Sequence, residues 1–542
     1  MLSLRKTLFQ RVKKMIPKIS DTEMIALQCG TTSIDRELFE GKVKKQKFQP
    51  MKQKMFEKEL LDELIEKHPS QHIYPNSDYE SLFNFMGANK FFSFLIPEQY
   101  GGKKTSVEEM SNILTYITSA NPSLGVITMV PNSLGPSELL LHYGTDEQKN
   151  KFLPLLANGS KIPCFGLTGP NNGSDATGQI DTGKIIKGDN GKLQIEVTIK
   201  KRYITLAPVS NLIGLAFRVE DPDQLLHSKK SGVTVALLEK GHPGLKQEYY
   251  HNPLDTGFPN GMLQGTLRID LDQVIGGEEK IGEGWKMLME CLAAGRGICL
   301  PATANASSKL ATSSMFLYAK HRTQFKMPII QMEAIQNKLA SMLYNTWAIQ
   351  SSVYVTNKIL DQGEKPSVLS AIMKEQTTER GRKVLNDGMD IHAGSAICKG
   401  ENNLLAKFYQ NVPVGITVEG SNTLTKNLII FGQGLNKSHP HIYPLLLSVQ
   451  NDDLDDFTKK FRNIVKHSVG LYFESLKSSL FSKNVLEKQT IYFACLSNFV
   501  ALKGGAIKKE QGLSADMASI MANVYLAQCV EQYEHDHNVS HV

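Results

Sequence analysis

The stretch KLQIEVTIKKRYITLAP, residues 192–208, decides the fold class, because apolar and polar residues alternate along most of its length. Alternation with many β-branched residues is typical of a strand with one buried face. Three later segments show the same character: NLIGLAFRVE (211–220), SGVTVALLEK (231–240) and GTLRIDLDQVIGG (265–277). The sequence therefore predicts β structure over residues 161–277.

Helical periodicity dominates on both sides of this β region, so the sequence predicts an α+β chain. The helical pattern after Gly284 comes in long segments, with a Gly-rich interval near residue 395 and a break at SHPHIYP (438–444). Five parts are predicted: an N-terminal helical or irregular segment (1–75), an N-terminal α-domain (76–160), a middle β-domain (161–277), a C-terminal helical bundle (278–436), and a helical extension (437–542) that we expect to be shortened.

Composition excludes several classes of protein. The 542 residues are 41% hydrophobic with a net charge of +7, and the basic residues accompany no nucleic-acid motif, so nucleic-acid binding is not expected. Seven widely spaced cysteines without a CxxC pair indicate a reduced, intracellular protein with no metal site. The sequence contains neither GxGxxG nor GxxxxGK[ST], so a flavin or nucleotide would have to bind between domains.

The first sixteen residues, MLSLRKTLFQRVKKMI, fit a short basic amphipathic helix. Two interpretations remain open: a helix packed on the protein surface, or peripheral contact with a membrane. We expect a cytoplasmic protein, with association at the inner face of the plasma membrane as the second interpretation.

Glu419 is the only charged residue in FYQNVPVGITVEGSNTLT, residues 408–425. A carboxylate in apolar surroundings has its pKa raised, which suits a general base. Gly420 beside it allows a ligand to approach the backbone. The alternative is a loop carboxylate that caps a helix starting near Asn422.

Two further candidates lie in the β region. The loop CFGLTGPNNGSDATG, residues 164–178, is rich in glycines and hydroxyls that suit a phosphate or polar heterocycle, although a plain turn fits it as well. Tyr203 and Thr205 end a strand, where an aromatic ring could stack on a ring system or simply be buried.

Two arginines complete the set. Arg322, with Phe325 in HRTQF, ends a helix and suits phosphate, or is merely solvated. Arg296 is isolated in an apolar helix and requires an anionic partner, either a structural carboxylate or Glu419.

From about Leu95 to Gly434 the order of motifs resembles the acyl-CoA dehydrogenase family. The motifs are IPEQYGG (96–102), HYGTDEQK (142–149), LTGPNNGSD (167–175), KRYIT (201–205), GEGW (282–285), HRTQF (321–325) and VEG (418–420). The residues of these motifs resemble those of the long proteobacterial fatty acyl-CoA dehydrogenase branch of the family, the FadE type. The resemblance implies an α-domain, a β-domain and a four-helix bundle with FAD at their junction.

The resemblance also implies a role for each candidate. Glu419 would remove the α-proton of a fatty acyl thioester, and the β-hydrogen would leave as hydride to the flavin. The remaining residues divide into an FAD set and a substrate set. The FAD set is Leu167, Thr168, Ser174, Tyr203, Thr205, Arg322, Phe325, Gly394 and Ser421, with Arg322 and Phe325 reaching the FAD of a neighbouring subunit. The substrate set is Ser174, Trp285, Arg296 and Gly420.

The implied function is oxidation of medium- to long-chain acyl-CoA to trans-2-enoyl-CoA, the first step of fatty acid β-oxidation. The implied partners are an electron-transfer flavoprotein and further copies of the chain. An acyl-CoA oxidase that uses oxygen, or an impaired acyl-CoA-binding remnant, are the alternatives. The remnant is suggested by the expected shortening of the extension and by departures from the family pattern at 392–396, where Ala393 adds a methyl group in place of the usual glycine.

Overall fold

The computed structural model describes residues 2–16, 19–49, 57–75, 78–133, 135–188, 191–227, 230–247 and 250–539. Along the chain, helices precede and follow a single run of strands that forms the main sheet, and the predicted α+β class is confirmed. The helices before the sheet are α1 (Leu2–Met15), α2 (Asp21–Gln28), α3 (Ile34–Phe39), α4 (Lys58–Lys67), α5 (Tyr79–Ala88), α6 (Val107–Ala120), α7 (Pro122–Met129), α8 (Pro136–Tyr143) and α9 (Asp146–Ala157).

The helices after the sheet are α10 (Gly284–His321), α11 (Glu333–Asp361), α12 (Ser367–His392), α13 (Gly394–Ile397), α14 (Ala406–Thr417), α15 (Asn422–Leu424), α16 (Gly434–Ser438), α17 (Ile442–Gln450), α18 (Leu454–Phe481), α19 (Val485–Ala501) and α20 (Gln511–His537). A nine-residue π-helix, Thr425–Gln433, joins α15 to α16. Helix α10 runs unbroken through the interior Pro301.

The strands are β1 (Pro163–Gly166), β2 (Thr182–Lys187), β3 (Leu193–Thr205), β4 (Leu212–Glu220), β5 (Gly232–Glu239), β6 (Asn260–Asp270), β7 (Thr323–Gln324) and β8 (Met327–Pro328). The first six form one sheet in the order β1-β4-β2-β3-β6, with β5 also paired to β4. β3 and β6 are antiparallel from Gln194 opposite Asp270 to Thr205 opposite Asn260, and their register shifts between Lys201 and Ile204. That shift is a β-bulge, which often re-aims a side chain next to a functional site.

The chain packs as two units. The site unit contains Met51–Thr346 and Arg380–Gly420, and the extension unit contains Met1–Pro50, Trp347–Glu379 and Ser421–Val542. In the site unit, one apolar core lies between the sheet and α8, α9 and the start of α10. A second core joins α10, α11, α12 and α14, with Met315, Met342, Leu385 and Phe408 at its centre.

The extension unit has its own cores, and one of them includes the N-terminal helix α1. Phe9 of α1 is buried with Leu445, Val449 and Phe457, and Leu8, Val12 and Ile16 pack around them. Arg5 and Lys13 pair with Asp455 and Asp452. The apolar side of α1 is therefore covered by α17 and α18, which favours a helix packed on the protein surface.

Candidate active site

Glu419 lies in a turn that follows α14. Its φ is +54° and that of Gly420 is +92°, so two consecutive residues have left-handed backbone. A glutamate rarely adopts this conformation, and such strain persists only where the surroundings impose it. Both carboxylate oxygens are shielded from solvent. The capping alternative is wrong, because the side chain that accepts the Leu424 N–H is that of Ser421.

Arg296 lies in the first half of α10, near Glu419. Burial lowers the pKa of Arg296, and the Glu419 carboxylate opposes that shift. Burial likewise raises the pKa of the Cys299 thiol, and Glu419 raises it further. The Nε of Arg296 is buried without a hydrogen-bond partner in the described part of the chain. An interior carboxylate and an interior guanidinium thus share one apolar region of the site unit.

The 164–178 loop is held by hydrogen bonds to its own backbone and to β3. The Asn172 side chain donates to the carbonyls of Leu167 (3.0 Å) and Ala176 (3.1 Å). The Arg202 N–H donates to the carbonyl of Thr168 at 3.0 Å. Ser174 is exposed, whereas Leu167 and Thr168 are half-buried. The buried Asn172 side chain therefore shapes the loop from inside.

Tyr203 lies in the bulge of β3, where its φ is +62°. Its ring is 58% exposed, so the default of a buried strand aromatic is wrong. The ring lies 4.9 Å from the His251 ring and 4.9 Å from the Arg202 guanidinium. Thr205 is half-buried, and its hydroxyl accepts from the Asn260 amide at 3.2 Å.

Trp285 occupies the first turn of α10. Its indole and the Leu167 side chain are partly buried against the same core beneath the sheet. The structure thus relates Trp285 to the 164–178 loop through a shared core.

Arg322 and Phe325 lie on a β-hairpin at the far end of α10. Arg322 is the C-cap of the helix, and its carbonyl accepts the Ile329 N–H at 2.9 Å. Phe325 and Lys326, with φ of +51° and +66°, form the two-residue turn between β7 and β8. The Phe325 ring is 86% exposed. These residues lie about 39 Å from Arg296 along α10, since a helix rises about 1.5 Å per residue.

Residues 392–396, which include the predicted FAD residue Gly394, contain a turn with strained backbone. Ala393, the N-cap of α13, has φ +53° and ψ −130°, a combination that glycine adopts far more readily. Gly394 follows it on the surface, and His392 before it is buried against the Tyr318 ring at 4.6 Å. Ser421 belongs to the extension unit.

Comparisons with known proteins place these features in a family. The acyl-CoA dehydrogenase N-terminal domain model matches residues 44–160, and the C-terminal domain model matches residues 282–432. The chain belongs to the acyl-CoA dehydrogenase family. Members are FAD-dependent oxidoreductases that act on CH–CH groups, so the enzyme class and the cofactor predicted from the sequence are confirmed.

Similar curated proteins include a 3-(aryl)acrylate reductase of Clostridium sporogenes, 29% identical over 68% of this chain and 97% of that protein. An acyl-CoA dehydrogenase of Bacillus subtilis is 29% identical over 64% of this chain and 88% of its own length. Among solved structures, an acyl-CoA dehydrogenase of Bacillus anthracis complexed with FAD matches with a TM-score of 0.70 and 18% identity. It covers 97% of this chain and 85% of its own.

The donor and acceptor groups around the β3 bulge fit an FAD. The Oδ1 of Asn260 is buried without a hydrogen-bond partner among the described residues, while its Nδ2 donates to Tyr203 and Thr205. A buried acceptor of this kind suits a ligand N–H. The exposed Tyr203 ring beside it offers a flat surface for an aromatic heterocycle.

Sequence reasoning missed the residues that support this part of the site: Asn172, Lys201 and Asn260. Lys201 carried the strongest signal, because it occupies an inward position of β3 after Ile195, Val197 and Ile199. Among the residues that the structure describes, no cluster suits a metal ion and no helix is long and apolar enough to cross a membrane.

Proposed function

We propose that this chain oxidises a fatty acyl-CoA to its trans-2-enoyl-CoA, the first step of fatty acid β-oxidation, with Glu419 as the base. The observation that carries the proposal is the Glu419 carboxylate, shielded from solvent close to the buried Arg296. Away from bulk water, a carboxylate that faces a substrate can take a proton from carbon without competition from solvent.

Each protein group has a defined task in this reaction. A Glu419 oxygen takes the α-proton, and the backbone N–H of Glu419 donates to the thioester carbonyl as enolate character develops. The buried guanidinium of Arg296 stabilises the carboxylate before the proton moves. The chemistry that bound FAD supplies is acceptance of the β-hydride. Leu167, Thr168, Ser174, Tyr203, Thr205, Gly394 and Ser421 would hold it, while Ser174, Trp285, Arg296 and Gly420 would contact the substrate.

The test is an anaerobic absorbance spectrum of the purified holoprotein before and after addition of palmitoyl-CoA. We expect a bound flavin band that bleaches within one turnover. Butyryl-CoA, octanoyl-CoA and an aryl-substituted propionyl-CoA complete the series, because the Clostridium relative is named for 3-(aryl)acrylates. Bleaching by the aryl substrate alone would overturn the fatty acyl assignment, and a flavin that no thioester reduces would favour the impaired remnant.

We propose an electron-transfer flavoprotein as the electron acceptor. A solved structure described as the electron transferring flavoprotein of Acidaminococcus fermentans is similar in fold, with a TM-score of 0.60 and 22% identity. Reoxidation of the reduced enzyme by such a flavoprotein, with slow reoxidation by oxygen, is the expected result. Fast oxygen consumption coupled to acyl-CoA would establish an oxidase instead.

We also propose a homo-oligomer in which Arg322 and Phe325 reach the FAD of a second subunit. Phe325 is 86% exposed and Met327 of the same hairpin is 40% exposed, so two apolar side chains are available to a partner surface. The distance of Phe325 from Arg296 along α10 argues against a role in its own subunit's site. Phe325→Asp is expected to shift the mass measured by light scattering toward the monomer and to release FAD. The matched control is Leu317→Asp, an exposed position on α10.

Peripheral membrane contact is proposed through the extension rather than through α1. Exposed side chains of Val469, Phe473, Leu476 and Leu480 follow one side of α18, and exposed lysines at 466, 477 and 483 lie beside them. An apolar stripe with basic residues suits an anionic lipid surface. Sedimentation with phosphatidylglycerol vesicles should exceed that with phosphatidylcholine vesicles, and Phe473→Ser with Leu480→Ser should abolish it. Equal partition of variant and wild type would contradict the assignment.

A further inference from the structure

Lys201 is a fully buried cation beneath the 164–178 loop. It ends the inward-facing series Ile195, Val197 and Ile199 of β3, and its side chain is 0% exposed. Burying an ammonium group costs several kcal/mol in general, so it is tolerated only where partners satisfy it. Burial lowers the pKa of Lys201, and Asp181 opposes that shift.

The partners of this ammonium group tie the sheet to the loop. The Nζ of Lys201 lies 2.9 Å from Oδ2 of Asp181 and donates to the carbonyl of Leu167 at 3.2 Å. The same carbonyl accepts from Asn172 at 3.0 Å. Two donors therefore turn the Leu167 carbonyl inward, away from the side of the loop that a ligand would approach.

The next peptide is held in the same way. The Thr168 carbonyl accepts the backbone N–H of Arg202, the residue that follows Lys201. Lys201 and Arg202 thus fix two consecutive carbonyls of the loop from the end of β3. The same end of β3 contains the bulge that exposes the Tyr203 ring, so one short segment sets both sides of the FAD cradle.

We propose that Lys201 is a positioning residue for FAD: its buried ammonium group, neutralised by Asp181, holds the Leu167–Thr168 backbone in the conformation that binds the cofactor. The inference rests on the proposed FAD role of Leu167 and Thr168. Lys201 touches protein groups only, so it acts through the loop and not on the reacting atoms.

The experiment separates this role from a general contribution to stability. Lys201→Met keeps most of the apolar stem and removes the donor, but it leaves Asp181 without its cation. Adding Asp181→Asn removes that uncompensated charge and retains an acceptor for the Lys200 N–H, 3.3 Å away. The matched control is Lys200→Met, on the exposed side of the same strand.

Two quantities are measured on each variant: the thermal midpoint of the apoprotein, and the FAD dissociation constant from fluorescence titration of folded protein. We expect the double variant to recover most of the stability that Lys201→Met loses. Its FAD dissociation constant should stay about tenfold or more above wild type, because the Leu167 carbonyl would lack the charged donor that holds it. Lys200→Met should match wild type in both.

A double variant that binds FAD within twofold of wild type would overturn the positioning role. The positioning role would also be overturned if stability and FAD affinity recovered together in the double variant, since a purely structural residue would behave in that way. Failure of the wild-type protein to bind FAD would instead contradict the proposed function, because Lys201 would then have no cofactor to position.

Discussion

Two turns of the site unit each place a non-glycine residue at positive φ, with different side chains. Glu419 and Ala393 are both non-glycine residues at positive φ, +54° and +53° respectively. Glu419 brings a carboxylate whose oxygens are shielded near Arg296, whereas Ala393 brings one methyl group on the surface. Both residues therefore adopt a positive φ that L side chains rarely adopt, and only at Glu419 does the side chain carry a group that glycine lacks and chemistry can use.

The difference between Glu419 and Ala393 indicates when a non-glycine residue at positive φ contributes to function. A left-handed non-glycine residue costs roughly 1–3 kcal/mol, so it is retained where the side chain does something that glycine cannot. At Glu419 that contribution is a buried carboxylate. At Ala393 the side chain is a single methyl group at an exposed position, so glycine would fit the turn better. Replacing Glu419 should therefore lower activity, whereas replacing Ala393 by glycine should raise stability.

Glu419→Gln carries the largest expected effect. The amide has the size of the carboxylate but cannot accept the α-proton, so flavin reduction by acyl-CoA should slow by roughly 100- to 10,000-fold. Stopped-flow absorbance under anaerobic conditions measures this rate. FAD content should be unchanged, and Glu401→Gln, at an exposed loop position, is the matched control. Normal flavin reduction in Glu419→Gln would remove the functional reason for strain in this turn.

Arg296 provides the second test. A buried Glu419 carboxylate is tolerated only if a neighbouring group stabilises its charge, and Arg296 is the cation near it. Arg296→Met should destabilise the protein by about 3 kcal/mol, as removal of one member of a buried charge pair does. The double variant with Glu419→Gln should lose less than the sum of the two single losses. Urea unfolding monitored by circular dichroism gives the free energies. Simple additivity would show that the two groups do not interact.

Much of the fold could be predicted because single segments contain its signals. The alternation in residues 192–208 predicts β3, and the Thr-x-x-Gln sequence at 145–148 forms the capping box that starts α9. The Ser106 side chain likewise caps α6 by accepting the Glu109 N–H. These features depend on hydrogen bonds between residues a few positions apart, which the sequence shows directly.

The candidate site was harder, because its supporting contacts join distant segments. Glu419 was visible as an isolated charge, but nothing near residue 201 announces a partner at Asp181 or Leu167. The hairpin with Phe325 at its tip was interpreted as a helix end, because Thr323–Gln324 and Met327–Pro328 are too short to show alternation. Positive φ at Tyr203 and Glu419 is equally hidden, since bulges and turns depend on the tertiary contacts that impose them.

Ala393→Gly is the smallest effect and the sharpest form of the comparison. Glycine removes the steric cost of φ +53° and ψ −130°, although it adds backbone entropy to the unfolded chain. The net gain should be about 1 kcal/mol, measured as a higher midpoint of urea unfolding, with flavin reduction by acyl-CoA unchanged or faster. Ala340→Gly, an exposed position inside α11, is the control and should lose about 1 kcal/mol, because glycine is unfavourable in a helix. A loss at both positions would mean that the turn at 393 tolerates its alanine without strain, and the contrast with Glu419 would then rest on chemistry alone.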